Sequence, residues 1–219
     1  MRYAIKEIYL TVQGEGAQAG RVAVFLRFAG CNLWSGREED RATAVCSFCD
    51  TDFVGTDGIN GGRFDADGLA SKCASFWPDS AGQRWVICTG GEPLLQLDTP
   101  LIAALKGQGF KIAVETNGTI EAPDGLDWIC VSPKANAPVK QTSGHELKLV
   151  FPQTTNHPEE FAHLDFEHFY LQPLDAFGKD GLCDDREQTA ANTQAAFEYC
   201  LNHPQWRLSV QTHKFIGVP

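Results

Sequence analysis

Short apolar runs rich in Val, Ile, Leu and Phe recur along the chain. They fall at Ile5 to Val12, Val22 to Ala29, Arg84 to Cys88, Lys111 to Val114, Trp128 to Val131, Leu147 to Phe151, His168 to Leu171 and Arg207 to Val210. Runs of this length and composition are what strands buried on both faces of a parallel sheet show. Stretches with helical features lie between some of them. Asp65 to Phe76 opens with an acidic first turn, Thr99 to Lys106 ends near Gly107 and Gly109, and Asp185 to Asn202 has Pro204 beyond it. The connections Gly118 to Asp127 and Lys134 to Glu146 are too short for a full crossover helix and read as loops. The pattern predicts an α/β chain built on a parallel sheet with some helices missing.

The residues at the end of each run carry more information than the runs do. The apolar segments end in Thr89-Gly90-Gly91-Glu92-Pro93, Glu115-Thr116-Asn117-Gly118, Ser132-Pro133-Lys134, Gln172-Pro173-Leu174-Asp175 and Gln211-Thr212-His213-Lys214. All five are polar and fall at carboxyl ends, where parallel α/β sheets collect their active sites. A single shared pocket is the expectation.

Composition narrows the class. The 219 residues suit one domain, with 43% hydrophobic and 21% charged residues. No apolar run reaches membrane-helix length, and the first residues do not form a signal peptide. The net charge of −10 argues against broad nucleic-acid binding. Eight cysteines in a chain of cytoplasmic character point to metal or chemistry rather than disulfides. Cys73, Cys88, Cys130, Cys183 and Cys200 are scattered, and Cys88 and Cys130 lie in apolar runs as small buried hydrophobes would.

Cys31, Cys46 and Cys49 differ. Cys31 comes directly after an apolar run, fourteen residues separate it from Cys46, and a two-residue step leads to Cys49. Such a step lets two thiolates face one metal centre, and structural zinc is the plain alternative. A closed zinc site wants four ligands, and no His lies between Cys31 and Cys73. Three cysteines suit a [4Fe–4S] cluster whose fourth iron stays open for a ligand. Among the other residues, Arg27 stands inside an apolar run, where an unpaired guanidinium is costly. It needs either a structural ion pair or an anionic ligand.

These motifs, with Thr11-Val12-Gln13-Gly14-Glu15-Gly16, Gly90-Gly91-Glu92-Pro93 and Cys46-Ser47-Phe48-Cys49-Asp50-Thr51, resemble the radical S-adenosylmethionine superfamily over nearly the whole chain. The common spacing there is C-x3-C-x2-C. The C-x14-C-x2-C spacing here departs from it and resembles the 7-carboxy-7-deazaguanine synthase branch. The resemblance implies an incomplete (β/α) barrel of about six core strands with reduced helices, one domain over 1–219, and a cluster-loop insertion at 32–45.

It also implies roles. Cys31, Cys46 and Cys49 would bind the cluster, and Thr51 a Mg²⁺ ion. Phe48, Cys49, Asp50, Gly91, Ser132, Pro133, Lys134, Gln172, Pro173, Leu174 and Asp175 would hold S-adenosylmethionine. Val12, Gln13, Gly14, Arg27, Thr89 and the terminal Pro219 would hold 6-carboxy-5,6,7,8-tetrahydropterin, with Glu15, Glu115 and Asn117 as further polar contacts. The implied reaction is ring contraction to 7-carboxy-7-deazaguanine with loss of ammonia, in queuosine biosynthesis. Flavodoxin as electron donor and a homodimer come from the family alone, and no residue is assigned as an acid or base. The run Arg37-Glu38-Glu39-Asp40-Arg41 reads as a solvated helical face capping the cluster. Two rival readings are another enzyme of the superfamily, such as a glycyl-radical activating enzyme, and a non-catalytic metal-binding module.

Overall fold

The computed structural model describes residues 2–79, 82–176 and 185–218. Its sheet has nine strands: β1 (Tyr3–Val12), β2 (Val22–Phe28), β3 (Gly62–Phe64), β4 (Arg84–Gly90), β5 (Phe110–Thr116), β6 (Trp128–Val131), β7 (Ser143–Phe151), β8 (Asp165–Pro173) and β9 (Trp206–Leu208). The order across the sheet is β3-β1-β2-β4-β5-β6-β7-β8-β9. From β2 to β9 every neighbouring pair is parallel. Strand β1 runs antiparallel to both β2 and β3. The edges β3 and β9 do not meet, so this is an incomplete barrel. Its body is the six parallel strands β2 and β4 to β8, with the three-residue β9 appended.

Among the described residues four α-helices accompany the sheet: α1 (Ala66–Ala74), α2 (Thr99–Gly107), α3 (Arg186–Asn202) and α4 (Thr212–Ile216). The starts of α1, α2 and α3 are written in the sequence. Asp65 accepts from Gly68 N, Asp98 from Leu101 N and Asp185 from Gln188 N, each satisfying an amide that the helix leaves free. Asp98 also accepts from the Tyr3 hydroxyl at 2.6 Å, which ties α2 to β1.

Two apolar layers hold these pieces. Leu69, Leu101 and Leu105 on α1 and α2 pack with Leu26, Val86 and Ile112 on the sheet, all fully buried. Farther along, Ala196 on α3 packs with Leu147, Leu149, Leu171 and Trp206. Each fully buried Leu or Ile contributes about 1.5–3 kcal/mol.

The segments 118–127 and 134–146 carry no helix. They close on each other instead: Lys140 N and Gln141 N both donate to Gly118 O, and Gln141 Oε1 accepts from Ala122 N. Two short elements were not apparent in the apolar pattern. Strand β3 pairs with β1 at the sheet edge, with Arg63 exposed and Phe64 against the core. Helix α4 replaces the expected strand-end coil, and Thr212 N donates to Gly14 O as it begins. The last apolar run shortens to Trp206–Leu208. Segment Glu38–Thr43 is a 3-10 helix with no buried residue, as its charge run implied.

Candidate active site at the carboxyl ends of the strands

The polar ends of β4, β5, β6 and β8 and the segment after β9 open into one cavity. Thr89, Gly91, Glu115, Asn117, Ser132, Lys134, Gln172, Pro173, Leu174, Asp175 and Gln211 line it. The loop after β2 closes the other side with Cys31, Cys46, Phe48, Cys49, Asp50 and Thr51. Pro133 is buried between two lining residues and does not itself face the cavity.

Close backbone contacts register the cysteine loop against the sheet. A Cβ on Gly91 would stand 2.0 Å from Gly30 O and 3.0 Å from Cys31 Cβ, so only glycine fits there. Glu92, fully buried, accepts from Leu94 N, Asn117 N and the Thr116 hydroxyl and so joins the ends of β4 and β5. Burial pushes its pKa up, against those donors. Glu92 is therefore structural and does not reach into the cavity. Asn117 Nδ2 donates to Asn32 Oδ1, and Asn32 Nδ2 to the Thr119 hydroxyl, pinning the residue after Cys31.

Arg41 straps the other two cysteines. Its guanidinium donates to the carbonyls of Ser47 and Cys49, both at 3.0 Å, and lies 4.1 Å over the Trp34 ring. The three thiols are free. A hydrogen bond from Cys46 brings Cys49 down to about 6 and raises Cys46 in turn. Lys134 Nζ is held by Ser132 O at 2.8 Å and Ser132 Oγ at 2.6 Å.

A second cavity adjoins the first. Val12, Gln13, Gly14, Arg27 and Thr89 line it, together with Glu7, Tyr9, Phe25, Asp52, His213 and Lys214. Thr51, Asp50, Glu15, Glu115, Thr89 and Gln211 belong to both walls, so the two spaces adjoin. Register explains part of this: Arg27 on β2 stands beside Thr89 on β4. Arg27 donates to Glu7 Oε1 at 2.6 Å and to the Tyr9 hydroxyl at 2.9 Å. The structural ion pair is thus present, and the guanidinium faces the cavity as well. Pro219 lies outside the described residues. The helix before it, α4, crosses this cavity: His213 packs onto Gly14, and Lys214 bridges Asp50 and Asp175.

Beneath both cavities lies a buried ionic network. Lys148 Nζ donates to Glu15 Oε2 at 2.7 Å and Glu115 Oε2 at 3.0 Å. Gln172 and Gln211 also donate to Glu15, and Gln13 donates to Glu115. Burial alone would raise Glu15, but the Lys148 charge and these donors hold it down at about 2. Burial works against the Lys148 charge too, and Glu115 and Glu15 more than offset it.

No protein-family model matches the chain. Individual relatives do, each over the whole of both chains. The 7-carboxy-7-deazaguanine synthase of Caulobacter vibrioides is 66% identical. Those of Bordetella pertussis and Nitratidesulfovibrio vulgaris are 61% and 51% identical. This chain belongs to the 7-carboxy-7-deazaguanine synthase family. The solved structure of QueE from Escherichia coli has the same fold, with a TM-score of 0.67 and 26% identity, covering 96% of this chain and 94% of that one. The chain is accordingly an enzyme. No helix among the described residues is long and apolar enough to cross a membrane.

Membership of the 7-carboxy-7-deazaguanine synthase family poses a test for the cysteine loop. The cavity wall that carries Cys31, Cys46 and Cys49 has no fourth Cys and no His. Among the described residues, no three His, Cys, Asp or Glu side chains gather as a single ion would need. Three free thiols on one cavity wall fit a cluster that takes three thiolates and leaves one iron open. They do not make the closed four-ligand shell of structural zinc.

Several residues of this family member's site are not marked by the motifs along the chain. Lys148, like Arg27, is a charge inside an apolar run, and that signal was available. Glu146 gave no such signal, because it ends the polar segment before that run. Cys130 read as an inert buried thiol, yet it faces two carboxylates. Nothing in the spacing assigns His213 a role, and Lys214 reaches the site only because α4 folds back onto Gly14.

Proposed function

We propose that this enzyme contracts 6-carboxy-5,6,7,8-tetrahydropterin to 7-carboxy-7-deazaguanine and ammonia, using a [4Fe–4S] cluster on Cys31, Cys46 and Cys49 and S-adenosylmethionine. The observation that carries the proposal is the adjacency of the two cavities: the cysteine wall and the Gln13–Arg27 wall share Thr51, Thr89 and Glu115. When bound, the cluster and S-adenosylmethionine supply a 5′-deoxyadenosyl radical that takes hydrogen from the substrate carbon bearing the carboxylate.

This chain's residues supply position and exclusion of water. Gly91 presents its backbone to the methionine amine, and Lys134 and Ser132 serve its carboxylate. Phe48, Asp50 and the segment Gln172-Pro173-Leu174-Asp175 line the adenosine end. Gln13, with a donor and an acceptor, meets the pterin edge beside Val12 and Gly14, and Arg27 meets the carboxylate. Thr51 supplies an oxygen for Mg²⁺, which favours such ligands and retains water. In this reading the chain acts as one radical S-adenosylmethionine domain over 1–219, with 32–45 as its cluster-loop insertion. It acts in the cytoplasm as a homodimer with flavodoxin as donor.

The test is anaerobic reconstitution with iron and sulfide, then reductant, S-adenosylmethionine, Mg²⁺ and the tetrahydropterin. The deazaguanine product by mass is the expected result. Absence of iron uptake overturns the reading. Cofactor cleavage without product leaves another enzyme of the superfamily.

A further inference from the structure

Three carboxylates meet a single lysine under the cavities. Lys148 gives its two hydrogen bonds to Glu15 and Glu115. Glu146, 2% exposed, receives none from it. Its oxygens face the Ala17 amide at 3.1 Å, the Cys130 thiol and the backbone of Gly16. The register sets the row. Glu115 on β5, Cys130 on β6 and Glu146 on β7 are direct neighbours across three parallel strands. The register sets Cys130 between the two carboxylates, and burial first, then the charges of Glu115 and Glu146, keep its thiol protonated. Of Glu115, Cys130 and Glu146, only Glu115 lines the cavities, and like Glu15 it lines both.

A buried carboxyl without a cation keeps its proton, because the low dielectric disfavours the charged form. Two carboxylates already balance Lys148 and more, so a third full charge has no partner. The groups facing Glu146 act in that sense: burial first and the Glu115 charge raise it to about 7, against Lys148, Ala17 N and Cys130. The other charged neighbours of the network are Glu15 and, from α4, His213, whose pKa burial lowers.

We propose that Glu146 stores the proton taken up by the departing ring nitrogen, and that Cys130 hands it to Glu115 at the substrate. The proposal rests on the pterin reading above. The overall conversion is redox-neutral, since the elements of ammonia leave and nothing is added. The C–N bond breaks with its electron pair on nitrogen. In one concerted hand-over Glu146 gives its proton to Cys130 as Cys130 gives its own to the ionised Glu115, and Glu115 passes that proton on to nitrogen. The proton lost from ring carbon as the new five-membered ring aromatises returns to the network, so protons balance over a turnover. Glu115 is then a catalytic residue, and Cys130 and Glu146 are positioning residues behind it.

The test compares Glu146→Gln, Cys130→Ala and Cys130→Ser in reconstituted enzyme with the tetrahydropterin. Deazaguanine is counted against the 5′-deoxyadenosine formed in response to that substrate. Glu146→Gln and Cys130→Ala still form 5′-deoxyadenosine, which shows them folded, while product falls by about 10²-fold or more, as loss of a general acid does. Cys130→Ser, whose hydroxyl both donates and accepts, recovers most of the loss. Wild-type product formation declines as pH rises through about 7, and Glu146→Gln lacks that limb. Unchanged product ratios in both variants, or an unchanged limb in Glu146→Gln, overturn the proposal.

Infrared difference spectra of the full chain give a readout without turnover. A protonated-carboxyl band that titrates near neutrality and vanishes in Glu146→Gln supports the store, and its absence overturns it. If wild type forms no 5′-deoxyadenosine in response to the tetrahydropterin, the substrate reading fails, and the infrared band still decides the proton store.

Discussion

Lys148→Met removes the one cation from the buried network while nearly keeping its volume. Lys148 is 5% exposed in its side chain and pairs with Glu15 at 2.7 Å and Glu115 at 3.0 Å. Breaking a buried pair from one side costs roughly 3–5 kcal/mol, because the remaining charges stay buried without a partner. The Glu15 pKa sets an independent scale. Its drop from 4.5 to about 2 corresponds to about 3 kcal/mol of stability at neutral pH. Since the folded-state pKa is depressed, that contribution is present above 4.5 and is lost as pH falls toward 2. In the variant, burial without Lys148 places Glu15 above its ordinary range, so acid protonates it in the folded chain and relieves the strain.

Urea unfolding monitored by tryptophan fluorescence therefore shows a deficit of about 3 kcal/mol at pH 7 that shrinks below pH 4.5. In a chain of this size the melting temperature falls by about 10 °C. Adding Glu15→Gln and Glu115→Gln to Lys148→Met restores most of the loss. A variant as stable as wild type at pH 7, or a deficit independent of pH, refutes this electrostatic account.

Gly91→Ala places a methyl 2.0 Å from Gly30 O, which forces β4 and the cysteine loop apart. The expected cost is about 1–3 kcal/mol with weakened S-adenosylmethionine binding, read by unfolding and equilibrium dialysis on reconstituted enzyme. Arg41→Ala frees the carbonyls of Ser47 and Cys49, so iron per chain after reconstitution falls while the melting temperature changes little. Arg41→Lys does not rescue it, because an ammonium has no second nitrogen to hold Glu38 while the first holds the carbonyls, and no plane to stack on Trp34. Lys214→Ala cuts the bridge from α4 to Asp50 and Asp175, and the assay reads a higher KM for the pterin with kcat nearly kept.

Much of the scaffold was legible because its signals are local. Apolar runs marked eight of the nine strands, and aspartates marked the starts of α1 and α3. Strand β3 was not legible: three residues with an exposed Arg63 at their centre gain strand geometry by pairing with β1. Helix α4 was missed because five residues without a buried face do not hold a helix alone, and its start is fixed by Gly14 O.

The site divides in the same way. By itself the sequence determined which residues carry chemistry: three cysteines at an uncommon spacing, five polar strand ends and an arginine in an apolar run. Those are properties of residue type and spacing along one chain. Only the tertiary structure decided that all five ends share one cavity, that this cavity adjoins the one facing Arg27, and that Arg27 already holds Glu7. It alone also put Glu115, Cys130 and Glu146 in a row, on strands whose sequence separation says nothing of their register. Register and burial depend on which strands pair and what covers them. A thiol that looks inert along the chain therefore becomes, in the sheet, the neighbour of two carboxylates.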